Sequence, residues 1–440
     1  MTKILRLILI AALVSLVVSW LNNQSGVSQI QWLGYQIQIS TSLLVGSIII
    51  FAVITMLTDR VLRFIRNLPN VITYGWQFRR KTNGERALGL GFVALAAGDS
   101  RSAQRQAKKA EKLLGKGLLP DLLAAQAAHI SGDKNAARRY FAQLSKNKDT
   151  AYYGLIGIMN LQSQNSDPKR SLAAAKKALK IQPDSIAALT HIFWRQIEEK
   201  KWEKSLEIIS LLKPQLSNFL EQRKQFQNRE IGLCYLLAHS SSEQKVKTIW
   251  LKRALKINKS SIACRVSLAS LYQKSELTKL MTKTAEQGFI LNPHQDYVDL
   301  MRSAYDNNLS KFIARLTKLA RQSEHKIDAY RLVIAASIDA NILPPAKSLL
   351  SEIPKSEMIN EDYLLLAELA EKQTDSKSAK IALQDAARAP RGKAWRCSSC
   401  PTITVQYEPI CPKCSDIGMI DWVNESHYMI SPVVEANLVS

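Results

Sequence analysis

The 440-residue sequence lacks the short motifs that mark most nucleotide-dependent and metal-dependent enzymes. It has no Walker loop and no G-x-G-x-x-G fingerprint, so neither of these glycine-rich phosphate-binding loops is present. Its six histidines include no pair at metal-ligand spacing. No local motif supports haem binding, although haem is left open as a ligand. We therefore predict that the chain is not an enzyme, and we assign it no catalytic or cofactor-binding residue.

Acidic residues are few relative to basic ones. Lys and Arg number 60 against 37 Asp and Glu, which gives a net charge of +23. No arginine-rich stretch is interleaved with aromatic residues, so we predict no nucleic-acid partner. A basic stretch beside a membrane is attracted to anionic lipid headgroups, which are the expected partner of this charge. The alternative is that the excess charge lies on solvated helix faces.

Two long apolar runs near the N-terminus predict a membrane hairpin in residues 1–66. The first run, residues 4–21, reads ILRLILIAALVSLVVSWL and contains a single arginine. The second run, residues 43–62, starts LLVGSIIIFAVITML and reaches its first charge at Asp59. A membrane span needs about 20 mostly apolar residues, which both runs approach. The alternative for the first run is a cleaved signal peptide, but it has no clean small-x-small cleavage site.

Flanking charge predicts the orientation of this hairpin. The loop of residues 22–42 contains no charged residue, whereas Lys3 and Arg6 precede the first span. Six basic residues follow, from the end of the second run onward: Arg60, Arg63, Arg66, Arg79, Arg80 and Lys81. Because positive residues stay on the cytoplasmic side, we expect a multi-pass protein of the bacterial inner membrane with both termini in the cytoplasm. Residues 67–81 are then a basic juxtamembrane linker.

The loop between the two spans has a pattern of its own. In SQIQWLGYQIQIS, apolar and polar residues alternate on both sides of Gly34. Alternation around a glycine-containing turn is typical of a β-hairpin. We therefore predict a small periplasmic β-hairpin over residues 27–40.

Glycine and proline are scarce in residues 82–390, where Ala, Leu, Lys, Glu and Gln dominate. A turn at Gly98 recurs 34 residues later at Gly132, and two further steps of 34 lead to Ser166 and Lys200. A constant 34-residue period of paired helices is typical of tetratricopeptide repeats. The predicted fold class is all-α, with an α-solenoid over this segment whose concave surface binds partner proteins. An irregular α-bundle is the alternative.

The last part of the chain, residues 391–440, contains four of the six cysteines. Cys397 and Cys400 form one C-x2-C pair, and Cys411 and Cys414 form a second pair after ten intervening residues. Two such turns supply a closed tetrahedral set of four thiolates, so we predict a structural Zn²⁺ site. Iron is the alternative ion, because Cys-Pro-Lys-Cys resembles a rubredoxin turn. Almost no linker separates this segment from the helices, so we expect it to pack on them.

The two remaining cysteines, Cys234 and Cys264, fall in helical patterns and are expected to be small core residues. Six cysteines are too few for a disulfide scaffold in a chain of 440 residues. Two disulfides among the C-terminal cysteines are not expected either, because the predicted topology places them in the reducing cytoplasm.

The combination of a two-span hairpin and degenerate repeats resembles the HemY family of inner-membrane proteins associated with haem biosynthesis. The resemblance covers the anchor LRLILIAALVSLVVSW, the loop IQWLGYQIQIS with the following TSLLVGSIII, and the repeats. The ending WRCSSC…YEPICPKC is similar to the cysteine-bearing tail of alphaproteobacterial members. This resemblance implies a scaffold for haem-pathway enzymes at a late stage of protoheme synthesis or delivery.

A second family provides an alternative interpretation. Lipopolysaccharide-assembly regulators of the LapB type also combine a membrane anchor, tetratricopeptide repeats and a rubredoxin-like knuckle, and they bring a substrate to a membrane protease. That family uses one span, whereas this sequence predicts two spans with an uncharged loop between them. The second span is therefore the feature that separates the two interpretations.

Overall fold

The structure is a computed structural model that divides into two compact units, Met1–Ser131 and Gly132–Ser440. The described residues are 26–32, 34–164, 167–305 and 308–424, together with a few residues between 12 and 20. The predicted first span, residues 4–21, lies mostly outside the described residues and stays a prediction.

The first unit begins with the predicted β-hairpin. Strand β1 (Val27–Trp32) pairs antiparallel with strand β2 (Tyr35–Ser40) over their full length. Gly34 in the turn has a φ of +84°, a left-handed conformation that glycine adopts without steric cost. The pairing confirms the β-hairpin over residues 27–40, while its periplasmic location stays a prediction.

Helix α1 (Thr41–Ala96) follows β2 directly and contains 56 residues. Its first part, Thr41–Arg63, is the one candidate membrane span in the described part of the chain, judged by length and apolar composition. Apolar side chains such as Phe51 are exposed there, as residues that face lipid would be. A membrane hairpin of two spans is not confirmed. The helix also continues through residues 67–81, the segment that the sequence predicts to be a linker.

Helices α2 (Ser100–Leu114) and α3 (Leu118–Ile130) complete the first unit. Arg80 of α1 donates hydrogen bonds to the backbone carbonyl groups of Lys112 and Leu113 at 3.1 and 2.9 Å. A cation at the C-terminal end of a helix satisfies carbonyl groups that have no partner within that helix. At least one of the basic residues after the candidate span therefore contributes to helix packing.

In the described residues, the second unit consists of helix α4 (Lys134–Leu144), seven helix pairs and a small β-sheet. The first helices of the pairs are α5 (Ala151–Gln164), α7 (Ile186–Glu198), α9 (Leu220–Ser240), α11 (Ile262–Lys274), α13 (Gln295–Arg302), α15 (Lys326–Asp339) and α17 (Asn360–Lys372). The second helices are α6 (Pro168–Ile181), α8 (Trp202–Gln215), α10 (Gln244–Ile257), α12 (Thr278–Leu291), α14 (Leu309–Gln322), α16 (Leu343–Ser351) and α18 (Ser376–Ala386). Each helix packs on its partner, and successive pairs pack on each other, as in a tetratricopeptide array.

Short turns with a left-handed residue separate many of the helices. The φ angle is +72° at Gly98, +79° at Gly132 and +56° at Lys200, three of the four predicted turn positions. Ser166, the fourth, lies outside the described residues. In several turns an aspartate carboxylate caps the next helix by accepting a backbone N–H: Asp99, Asp133, Asp167 and Asp375. The 34-residue period has a local cause, because the same turn and cap recur.

After α18 the chain forms a three-stranded antiparallel sheet. Strand β3 (Ala394–Cys397) lies in the centre, between β4 (Ile403–Thr404) and β5 (Ile420–Val423). The two cysteine turns connect these strands. The all-α class is thus confirmed for the helical array, and the C-terminal segment adds a small β-structure to it.

Candidate metal centre and its seat on the helices

The structure brings the four predicted ligands together: Cys397, Cys400, Cys411 and Cys414. Their sulfur atoms all lie within 4.8 Å of one another. Across the two turns, the sulfurs of Cys397 and Cys414 are 3.7 Å apart, and those of Cys400 and Cys411 are 3.5 Å apart. A tetrahedral ion with Zn–S bonds of about 2.3 Å requires sulfur–sulfur distances of about 3.8 Å. The four thiols therefore fit a single tetrahedral ion, either Zn²⁺ or iron.

Each cysteine pair lies on a tight turn held by backbone hydrogen bonds. The N–H of Cys397 donates to the carbonyl of Thr402 at 3.0 Å, and the N–H of Cys411 donates to that of Asp416 at 2.9 Å. Ser415 has a φ of +58°, which lets the second turn reverse sharply. Two residues between the cysteines complete each turn, so both sulfurs of a pair reach the same point.

The thiols of Cys397, Cys400 and Cys414 differ in their pKa values. Burial raises the pKa of Cys397 well above its ordinary value and raises the pKa of Cys414 to about 11. Burial acts in the same direction at Cys400, but hydrogen bonds from Thr402 and the neighbouring thiols outweigh it and lower that pKa to about 7. Four thiolates at such short distances need a cation to stay deprotonated. The cluster therefore suits a bound metal ion.

The two remaining cysteines lie apart from the cluster. Cys234 on α9 and Cys264 on α11 are fully buried among helix side chains. Burial raises the pKa of Cys234 to about 12 and that of Cys264 to about 11, so both thiols are neutral. They are core residues, as predicted.

A buried ion pair fixes the knuckle, residues 394–424, to helix α9. The guanidinium of Arg229 donates to both carboxylate oxygens of Asp416, with Nε–Oδ1 and Nη2–Oδ2 distances of 3.0 Å. The hydroxyl of Ser399 and the backbone N–H of Ile417 donate to the same carboxylate at 2.7 and 2.8 Å. Arg229 is 9% exposed and Asp416 is 8% exposed. The desolvated pair is compensated by its bidentate geometry and by these additional donors.

Aromatic rings hold the Arg229 side chain in place. Its guanidinium carbon lies 5.0 Å from the ring centre of Trp194 on α7 and 4.9 Å from that of Phe226 on α9. Cation–π contacts of this kind stabilise a desolvated guanidinium. Because Asp416 lies two residues after Cys414, the ion pair links the second cysteine turn to two helices of the array.

The second cysteine turn also touches α9 through its backbone. A Cβ atom on Gly232 would lie 2.7 Å from the backbone of Gly418, and a Cβ atom on Gly418 would lie 2.1 Å from the carbonyl oxygen of Asn228. Gly418 has a φ of +66°, which other residues rarely adopt. Glycine is therefore required on both sides of this contact.

Aromatic residues fill the space between the sheet and the first helices of the pairs. The ring of Trp395 on β3 lies 5.4 Å from the rings of both Trp422 and Tyr407. Tyr407 meets Tyr235 of α9 at 5.1 Å, and Trp422 meets His294 at 4.7 Å, both edge to face. These contacts add to the stabilisation from apolar burial.

The knuckle is thus part of the array's core. Trp395, Cys411 and Ile420 belong to the apolar cluster of the later helices, and Ile417 belongs to the cluster of the preceding ones. The knuckle lies on the first helices of the pairs, which line the concave surface in tetratricopeptide arrays. The expected packing on the helices is present. Part of the surface predicted to bind partners is therefore covered by the chain's own C-terminal segment.

The sequence identified the four ligands but not the residues that hold the knuckle on the helices. Arg229, Asp416, Gly232 and His294 were missed. The available signal was weak: an aspartate two residues after the last cysteine, and an arginine just before the apolar run of α9 that begins at Ile231. Neither position implies its partner, because they are 187 residues apart in the chain.

Residues 26–132 match the family model described as HemY protein N-terminus. Over this segment, the chain is similar to the N-terminal part of HemY proteins. The matched segment contains the β-hairpin, the candidate span and helices α1 to α3, whereas the metal cluster lies outside it. No curated protein sequence matches the chain.

Solved structures similar to this chain include one complex and two TPR domains. The Naa15/Naa10 complex bound to HypK-THB is 16% identical over 71% of this chain, with a TM-score of 0.39; the match spans half of that chain. The TPR2AB domain of yeast Sti1 in its pHSP90 complex is 12% identical over 70% of this chain and 99% of its own, with a TM-score of 0.25. The P58(IPK) TPR domain is 13% identical over 70% and 98%, with a TM-score of 0.24. Similarity at this level concerns the repeat fold alone.

Proposed function

We propose that this chain is an inner-membrane-anchored tetratricopeptide scaffold that gathers haem-pathway enzymes at a late stage of protoheme biosynthesis. The observation that carries the proposal is the family match over residues 26–132, which includes the candidate span. Helix pairs support a role in protein binding, because such arrays present long continuous surfaces. The four-cysteine cluster supports a structural Zn²⁺ ion, since four protein ligands complete a tetrahedron. In this proposal the chain is not an enzyme.

Depletion of the chain tests the haem role. We expect porphyrin intermediates to accumulate and cellular haem to fall, because the late enzymes lose the scaffold that holds them together. Porphyrins and haem are measured by chromatography of cell extracts, with and without expression of the wild-type chain from a plasmid. A normal porphyrin profile after complete depletion would contradict the proposed function.

Orientation in the membrane is a separate prediction. The proposal places both termini in the cytoplasm, with the basic residues after the candidate span against anionic headgroups. In intact cells, a membrane-impermeant maleimide should label Gln38→Cys in the β-hairpin but not Ser376→Cys on the exposed start of α18. Permeabilised cells should show labelling of both, and the wild-type chain gives the background from its own cysteines. The reverse pattern in intact cells would overturn this topology.

A second candidate function is an adaptor that regulates lipopolysaccharide assembly through a membrane protease. A four-cysteine knuckle seated on a helical array, with one candidate span in the described residues, is compatible with that adaptor. The match to the HemY N-terminus favours the haem role instead. The depletion experiment separates the two, because disturbed lipopolysaccharide with normal porphyrins would favour the adaptor.

A further inference from the structure

The second unit contains a cavity of about 450 Å³ beside the knuckle. Its walls come from α15, α17 and the knuckle, and much of their surface is apolar, including Leu332, Leu364, Leu365 and Trp422. Leu364 is 44% exposed, so part of this apolar wall faces solvent. A cavity of this size falls in the range of roughly 300–1,000 Å³ that ligand-binding clefts occupy.

Four charged groups at one side of the cavity neutralise one another. Arg331 donates to both oxygens of Asp362 at 2.9 Å and to one oxygen of Asp328 at 2.7 Å. The ammonium of Lys393 lies 2.8 Å from the other oxygen of Asp328. Two cations and two carboxylates therefore form a closed network that fixes the wall but leaves no net charge for a ligand.

Two further carboxylates at the cavity form no ion pair with any residue that the structure describes. Glu361 and Glu368 are seven residues apart on α17 and therefore lie on the same face of the helix, with Leu364 and Leu365 between them. Neither carboxylate is paired with a basic side chain in the part of the chain that the structure describes. Glu361 also packs over Gly392, where a Cβ atom would lie 2.9 Å from its Oε2 atom. The rim of the cavity is thus acidic.

This acidic rim is unusual in a chain with a net charge of +23. An apolar wall flanked by two unpaired carboxylates is complementary to an apolar side chain that stands next to a cation. The chain's own end, residues 425–440, has the wrong charge, because it contains Glu425 and Glu435 but no lysine or arginine. Charge complementarity therefore favours a separate, basic partner.

We infer that this cavity is a docking site for a segment of a partner protein that places an aromatic or aliphatic side chain next to lysine or arginine. The apolar side chain enters the cavity against Leu364 and Trp422, and the cation meets Glu361 or Glu368. This inference rests on the proposed scaffold function and specifies the chemistry of one partner. Because the knuckle supplies Trp422, the site exists only while the knuckle is packed on the helices.

The test uses the full-length protein in detergent micelles and two fluorescein-labelled peptides of equal length. Both peptides contain one tryptophan and one leucine, flanked by arginines in the first and by glutamates in the second. The wild-type chain should bind the basic peptide about tenfold more tightly than the acidic one, and added salt should reduce the difference. Glu361→Gln/Glu368→Gln should reduce the affinity for the basic peptide by about tenfold. Glu361→Lys/Glu368→Lys should make the chain bind the acidic peptide more tightly than the basic one.

A matched control removes two exposed carboxylates that do not line the cavity. Glu203→Gln/Glu207→Gln on α8 should keep the affinity for the basic peptide within about twofold of wild type, since these exposed carboxylates lie on a helix that supplies no residue to the cavity. Circular dichroism and metal content confirm that each variant is folded. Equal binding of both peptides, or an equal loss in the control variant, would overturn the inference.

Other outcomes are equally decisive. If the basic peptide binds only when the chain is shortened to end at residue 424, the cavity belongs to the chain's own end and the inference is wrong. The proposed scaffold function is judged by the porphyrin profile, so a failure of peptide binding with altered porphyrins rejects the docking site alone.

Discussion

Replacing Cys411 with serine is expected to abolish stoichiometric metal binding and to release the knuckle from the helices. Cys411 is 1% exposed, and its sulfur lies 3.5 Å from that of Cys400. A serine side chain reaches less far than a cysteine, and its oxygen is a harder ligand than a thiolate. It therefore does not complete a four-sulfur tetrahedron for Zn²⁺ or iron. Metal content, measured by mass spectrometry of the purified full-length protein, should fall from about one ion per chain to near zero.

The structural effect should spread because the ligand turns also carry the docking contacts. Structural zinc contributes on the order of 10 kcal/mol to the folding of isolated zinc domains. Without the ion, the turn that presents Asp416 to Arg229 loses its geometry, and Trp395 leaves the apolar core of the later helices. The helices have cores of their own and should remain folded. Limited proteolysis with trypsin should therefore cut after Arg396 of β3, which is 7% exposed in the wild-type chain.

The matched control for this experiment is Cys264→Ser. Cys264 is fully buried and lies outside the four-thiol cluster, so its replacement should cost stability while leaving the metal content near one ion per chain. If Cys411→Ser retained full metal content, the ion would have to bind elsewhere and the cluster would not be the metal site.

Much of this fold could be predicted because its signals are local. The 34-residue period predicts the helix pairs because many turns contain a left-handed residue such as Gly98, and several of them add a capping aspartate such as Asp99. The alternation around Gly34 predicts the β-hairpin, because side chains in a strand point to opposite faces in turn. The C-x2-C spacing predicts the thiol cluster, because two residues set both the turn and the reach of its sulfurs.

The contacts that hold the knuckle on the helices could not be predicted, because they join residues that lie far apart in the sequence. Arg229 and Asp416 are 187 residues apart, and each alone looks like an ordinary surface charge. Gly232 looks like a weak point in a helix until Gly418 is placed against it. Such contacts depend on how the array brings α9 beside the cysteine turns. For the same reason, the sequence predicts that the C-terminal segment packs on the helices but not which helices it covers.

This coverage changes what the scaffold can offer to partners. The knuckle covers first helices from α9 onward, and the cavity beside α17 is bounded on one side by Trp422 of the knuckle. The docking cavity therefore depends on the contacts between the knuckle and α9, and those contacts depend on the metal ion. Loss of the ion or of the seat should remove the cavity, whereas changes at Glu361 should leave both the ion and the seat intact.

Breaking the Arg229–Asp416 pair should loosen the knuckle more than any single apolar substitution on its surface. Removing one partner of a buried ion pair typically costs about 3–5 kcal/mol, because the other charge stays buried without compensation. Arg229→Met leaves the Asp416 carboxylate with only the Ser399 hydroxyl and one backbone N–H. Asp416→Asn leaves the Arg229 guanidinium between the two aromatic rings without its anion. Each variant should therefore raise hydrogen exchange in β3 and β5 and speed metal release to a chelator.

The double variant Arg229→Met/Asp416→Asn decides whether the pair or merely the bulk of its side chains holds the knuckle. If the ion pair is the cause, the double variant is less damaged than the sum of the single variants, because no charge is left unpaired, and the coupling is about 2 kcal/mol. Arg223→Met is the matched control, since Arg223 is exposed on the same helix and its loss should leave exchange and metal release unchanged. Additive effects of the two single substitutions would show that packing alone seats the knuckle. A coupled result would mean that the ion pair, two residues from a metal ligand, makes metal retention depend on helix α9.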